Sequence, residues 1–459
     1  MSTLLILLIC GAFYAYALFY KPEIVAIILF ALMIANINID LKGLPLNSRA
    51  IITITLFGRI LFDKETRFKY NDFLGVSTVK AFIFFFLYFL LISFSQDLFT
   101  IELLKVTIST VLAAYCVYHY FFKNYDDKCI KIGLIISGII CFADLAYTYA
   151  FIGSFPVRRV YELVTSGPVE DFDPNNIFVS DINHNFFGQV CGMAFVFVFT
   201  DIVKNRLVSK YLIVLLPVMF IGVLMSTSRS ALMAIIIVVL FVVMSSINYR
   251  EGRKKVLKIV SFSVVAATIG ILLFSTISMY FNLDSKFVDE VLFRLVDEPI
   301  AILQRAMGQN YNIQNLGSMD WREEAAAQAY EAYMNLPVNE QIFGIGNNGF
   351  IVRSLGHGLN PHNGILLILI EVGLVGFLIY LMIILGAIIQ SIRLGNVSPS
   401  LAVLLFIIIF GIGQNNELTS VTTFLFVFTM IAENQYILAE KRKKVVEIKK
   451  VKKVKMGVV

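Results

Sequence analysis

The chain has 459 residues, of which 58% are hydrophobic and only 15% charged, and its 41 phenylalanines recur in apolar runs along nearly the whole length. This composition excludes a soluble globular enzyme and describes an all-α, polytopic membrane protein. The net charge of +6 is concentrated beside the apolar runs, where lysines and arginines set orientation, so it does not imply nucleic acid.

The first run, Leu4 to Tyr20, lacks a basic leader and is followed by Lys21-Pro22-Glu23 and more membrane sequence, so it is expected to be retained. Further runs fall near residues 23–39, 50–62, 75–95, 101–122, 130–151, 185–203, 211–226, 230–247, 256–280, 363–390, 399–414 and 418–438, which predicts twelve or thirteen spans. The five cysteines (Cys10, Cys116, Cys129, Cys141 and Cys191) show no metal spacing, and none lies in the long polar loops. No metal, disulfide or other cofactor is expected.

After Glu440 the tail carries nine basic residues, from Lys441 to Lys455, against one acid, Glu447, and is expected to be cytoplasmic. Counting back puts loops 152–184 and 281–361 outside, and the larger holds ten acids against five basic residues. Four parts follow: N-terminal membrane helices 1–280 including the smaller outer loop, the large outer loop 281–361, C-terminal membrane helices 362–440, and the basic tail 441–459.

The polar residues gather at outer helix ends. The 39 residues from Tyr211 to Tyr249 contain one charge, Arg229, inside Ser226-Thr227-Ser228-Arg229-Ser230, which predicts two helices with the arginine at their outer hairpin. A similar hairpin, Gln414-Asn415-Asn416-Glu417, joins the last two spans on the same face. In the large loop, Asp320 and Glu323 have the spacing of a capping box opening an alanine-rich helix, which would put Arg322 in its first turn. A cation there opposes the helix dipole and makes sense beside an anionic ligand.

The glycine-rich run Phe343-Gly344-Ile345-Gly346-Asn347-Asn348-Gly349-Phe350 leads through Pro361-His362-Asn363 into an apolar helix expected to be continuous from Gly364 to Ile384, with Asn363 capping its first turn. His362 at that water-facing end suits acid/base work, and His184, in Asp181-Ile182-Asn183-His184-Asn185, is a second candidate base. Glu371 lies about 13 Å along the helix from His362, too far for direct contact; Gly373 and Gly376 read as close-packing residues. Guanidinium groups grip phosphate in paired, charge-assisted hydrogen bonds, with the hydroxyl of Ser228 in support. Arg229, Arg322 and His362 at a membrane boundary therefore suit glycosyl transfer from a polyprenyl diphosphate: the arginines hold the diphosphate and the histidine takes a proton from the attacking hydroxyl.

Ser228-Arg229-Ser230-Ala231-Leu232, Trp321-Arg322, Phe343-Gly344-Ile345-Gly346, and Pro361-His362-Asn363 followed by Glu371, Gly373 and Gly376 resemble, in order and spacing, the bacterial O-antigen ligase and O-antigen polymerase superfamily. The resemblance covers roughly residues 226–380. It implies about twelve helices with a large periplasmic loop, an inner-membrane location, an undecaprenyl diphosphate-linked glycan donor, and no metal or nucleotide. It further implies His362 as base, Arg229 and Arg322 as diphosphate contacts, and a lipid-linked repeat unit or lipid A core as acceptor. A flippase and a chain-length regulator protein are the expected protein partners, with membrane lipid around them. Here Arg322 follows the tryptophan, whereas the family places its loop arginine several residues before it, so Arg305 is the alternative position. A polymerase is favoured over a ligase; the rival from another class, a lipid-linked glycan transporter, calls for midplane charges and an internal repeat.

Overall fold

The computed structural model describes residues 3–35, 48–62, 77–124, 128–151, 184–204, 210–226, 228–247, 317–355, 361, 363–395, 397–414 and 421–455. Among them are fifteen helices and no strand. In chain order they are α1 (Thr3–Tyr20), α2 (Pro22–Ile34), α3 (Ser48–Phe62), α4 (Ser77–Ser95), α5 (Ile101–Asn124), α6 (Lys128–Phe151), α7 (His184–Lys204), α8 (Lys210–Met225), α9 (Arg229–Ile247), α10 (Gly317–Met334), α11 (Val338–Phe343), α12 (Gly349–Val352), α13 (Gly364–Arg393), α14 (Pro399–Ile412) and α15 (Val421–Lys455). The protein is an all-α, polytopic membrane protein. The predicted run 256–280 lies outside the described residues.

Helix α7 is the axis of the bundle. It packs against α6, α8, α9 and α14, and nearly every side chain from Asn185 to Val203 is buried. A helix apolar all round belongs inside a bundle rather than at its lipid surface. Its glycines set how closely neighbours approach: the Phe406 ring of α14 lies where a Cβ on Gly192 would stand, and Cys191 Sγ is 2.7 Å from where a Cβ on Gly222 of α8 would be. Helix α4 faces lipid instead, with Phe84, Leu87, Leu91 and Phe94 exposed along one stripe at helical spacing.

Among the described residues, two helices, α7 and α13, are long and apolar enough to cross a bilayer individually. Six shorter apolar helices accompany them, and α1 and α2 meet at a bend of 117°. That bend follows from Pro22 at the start of α2, since proline fits a first turn but cannot continue the helix before it.

The contacts separate two ends of the bundle. At one, Ser93 of α4 accepts the amide of Asn347 in the loop that follows α11, and Gln96, just past α4, accepts the guanidinium of Arg353 at the end of α12. At the other, Lys441 of α15 donates to the carbonyl of Leu394, just past α13, and Lys131 of α6 pairs with buried Asp201 of α7 at 2.6 Å. Helix α15 runs unbroken from the apolar segment through the basic residues to Lys455. Cysteines placed at Ser318 and Lys450 are therefore expected to label from opposite sides with an impermeant maleimide. Labelling of both from one side would overturn this arrangement.

Candidate functional site

Arg229 is the first residue of α9, half-buried, and the turn before it is tied down from both directions. Ser226 Oγ donates to the carbonyl of Val223 and accepts the amide of Ser228, while Ser228 Oγ donates to Asn185 Oδ1 of α7 at 3.0 Å. A Cβ on Gly188 of α7 would stand 2.5 Å from that of Ser228, so the turn lies directly on the glycine. From the third side, Gln414 at the end of α14 reaches Ser230 Oγ at 3.4 Å. Three helices thus deliver hydroxyl and amide groups to the base of Arg229. A guanidinium at a helix N-terminus works against the dipole, and a fixed, polar seat for it suits an anion that offsets this. His184 opens α7 beside Asn185, at the same end of the bundle.

The second half of the site is built on a broken helix. Helix α13 is interrupted at Gly373, whose backbone (φ 65°, ψ −178°) is open to glycine and almost closed to other residues. This corrects the continuous helix expected from the apolar run. The segment after the break, Leu374–Arg393, is roughly 20 residues and about 30 Å long, enough to cross the hydrocarbon core by itself. The half-helix Gly364–Val372 lies before it and is largely buried in protein.

A break takes the carbonyls of the preceding turn out of the helical pattern, and buried carbonyls need new partners. The glycine-rich loop supplies them. Ile345 N–H donates to the carbonyl of Ile370 at 3.2 Å and Gly346 N–H to that of Glu371 at 2.9 Å. The approach is close enough that a Cβ on Gly373 would overlap the Gly344 amide and stand 2.5 Å from the carbonyl oxygen of Ile342. Gly344 (φ 93°) faces the same contact from the other side. Glu371, buried at this junction, accepts the backbone amide of Asn348 at 2.9 Å. Asn348 is left-handed (φ 54°), a conformation asparagine tolerates better than most residues. The described partner of Glu371 is thus the loop, and Gly373 serves the break rather than helix packing alone.

Outside the membrane bundle, a small second core joins this half-helix to α10. Ala329, Tyr333 and Leu336 pack with Ile345, Phe350, Leu367 and Ile370. Burial and the neighbouring Tyr330 push the Tyr333 phenol up from its usual value, in keeping with its role as donor to the carbonyl of Gln341. Arg322 is half-buried and falls within about 20° of Ala329 and Tyr333 around the helix, so it shares the face turned to the half-helix. Helix α10 starts at Gly317, ahead of Asp320, so Arg322 sits in the second turn rather than the first.

The half-helix begins where the sequence places it. Asn363 Oδ1 accepts the amide of Leu366 at 3.1 Å, and the preceding Pro361 is buried. His362 and Arg305 lie outside the described residues.

Residues 212–381 match the family model described as O-antigen ligase. The segment belongs to the O-antigen ligase and polymerase superfamily. The match implies glycosyltransferase-type activity, and it contains Arg229, Arg322, His362, Glu371 and Gly373. Comparison with curated proteins gives no match. Asn185, Gln414, Ser93 and Tyr88 all contact this region from outside the matched segment; the sequence shows Gln414 and Asn185 only as members of polar runs at helix ends, and nothing in it singles out Ser93 or Tyr88. Their signal in the sequence is slight: single polar groups at the ends of apolar runs, one of them a tyrosine in a run of phenylalanines.

Proposed function

We propose that the protein is a surface-polysaccharide polymerase of the bacterial inner membrane, transferring a growing glycan from an undecaprenyl diphosphate-linked donor to a sugar hydroxyl of a lipid-linked repeat unit at the periplasmic face. The observation that carries this reading is the O-antigen ligase match over the segment holding Arg229, Arg322 and His362. The seated arginine at the end of three helices supports it. In the reaction, the acceptor oxygen attacks the anomeric carbon while the bond from that carbon to the diphosphate breaks. His362 takes the proton of the attacking hydroxyl, and the guanidinium groups of Arg229 and Arg322 stabilise the charge arriving on the diphosphate. Transfer to lipid A core or to protein is the second reading, favoured by the ligase description of the matched family.

The test is to incubate purified protein with lipid-linked repeat units, without added metal or nucleotide, and to follow chain length. A ladder of products supports the polymerase. Transfer to added lipid A core without lengthening supports the ligase, and loss of neither substrate removes both.

Arg229→Lys is expected to lower transfer at least tenfold with near-normal expression, because an ammonium keeps the charge but loses the two-pronged grip on phosphate. Full activity with lysine would mean that charge alone matters at this position.

A further inference from the structure

We propose that Tyr88 of α4 is a positioning residue for the transfer reaction, its hydroxyl locking the glycine-rich loop to the break in α13 and so holding the half-helix that follows His362 at a fixed place. The inference rests on the glycan-transfer reading above and adds a residue from outside the matched segment.

The break at Gly373 displaces three carbonyls, those of Ile370, Glu371 and Val372. Loop amides serve the first two. The third, Val372, is reached by the Tyr88 hydroxyl at 3.1 Å, which also stands 2.8 Å from the carbonyl of Phe343 at the loop's start. One hydroxyl proton is shared between the last residue of the half-helix and the residue that leads into the loop, so Tyr88 closes the seam at the point where both chains turn. Its ring lies over Gly376, where a Cβ would stand 2.7 Å from Cε1, which explains a glycine one turn past the break. One and a half turns along α4, Ser93 Oγ accepts the amide of Asn347 at 3.0 Å, giving the loop a second fastening on the same helix.

The half-helix ends at this seam and begins at Asn363, so its nine residues act as a short rigid lever between Tyr88 and the residue proposed as base. Small errors in the placement of a reacting group cost rate more than binding. The donor is held by Arg229, Arg322 and the bilayer, whereas the Tyr88 hydroxyl bonds the loop and the end of the half-helix.

Tyr88→Phe removes the hydroxyl and keeps the ring over Gly376. Its expected effects are a fall of about fivefold to tenfold in kcat, the size of one lost hydrogen bond, with donor KM within about twofold. Amide exchange in residues 343–349 should be faster, and that in α7 unchanged. Unchanged kcat, unchanged exchange in 343–349, or faster exchange throughout α7 would each overturn the proposal. Should Tyr88→Phe not accumulate, Ser93→Ala, which removes the second fastening, is read by the same measurements and the same outcomes. Absence of transfer by the wild-type protein removes the reaction reading and this proposal together, whereas wild-type transfer left intact in Tyr88→Phe removes this proposal alone.

Discussion

Gly373→Ala is expected to abolish glycan transfer and to lower the thermal midpoint of the purified protein, while Gly386→Ala, later in the same helix, leaves both unchanged. The contrast comes from the surroundings. At Gly386 a Cβ meets nothing within 4 Å. At Gly373 it meets backbone: the Gly344 amide and the carbonyl oxygen of Ile342, neither of which can swing aside as a side chain can. A non-glycine residue at φ 65°, ψ −178° costs about 1–3 kcal/mol, and the overlap costs about as much again. The cheapest escape is for the loop to lift off, which removes the partners of the Ile370 and Glu371 carbonyls. A Gly373→Ala protein that transfers glycan at the wild-type rate would show that the loop does not have to stay docked.

His362→Ala is expected to reduce transfer by about a hundred- to ten-thousand-fold without a comparable loss of donor binding. In the chain the histidine stands between Pro361, which is buried, and Asn363, whose side chain caps the half-helix. On the proposed mechanism, donor binding rests instead on guanidinium contacts and on the lipid tail. Single-turnover transfer beside equilibrium binding of labelled donor separates the two. His184→Ala should be milder, because His184 opens a different helix, α7. Near wild-type elongation by His362→Ala across neutral and mildly acid pH would discard the base assignment in favour of His184.

Most membrane helices were legible because each is a local apolar run bounded by charge or by proline: Lys210–Met225 and Arg229–Ile247 emerge from one long stretch interrupted by a single arginine. Asn363 was legible as a cap for the same local reason. The break at Gly373 was not, since one glycine in an apolar helix has the same composition whether it packs a neighbour or turns the chain. What decides is the loop that lies against it, and Tyr88, which joins the two, stands 255 residues from Phe343. No periodicity connects residues so far apart. The start of α10 was misplaced because Asp320 and Glu323 are equally suited to a capping box and to the acidic first turns of a helix already begun. The role of Glu371 was half-read: a carboxyl inside an apolar run does mark something, but its described partner is a backbone amide rather than a catalytic group.

The enclosure of α7 also bears on how the chain is put into the membrane. A segment carrying Asn185, Gln189, Thr200 and Asp201 is costly to leave facing lipid, yet it is made before three of the four helices that surround it. The neighbour made first, α6, carries Lys131, the partner of Asp201, so the most expensive group can be neutralised as soon as α7 arrives. The polar residues at the opposite end gain their partners later: Asn185 waits for Ser228 at the head of α9, and α14 closes the last side only when synthesis is nearly complete. The end that holds the arginine is therefore the last part of the axis to be sealed, and insertion order keeps the candidate site open until every helix that builds it is present.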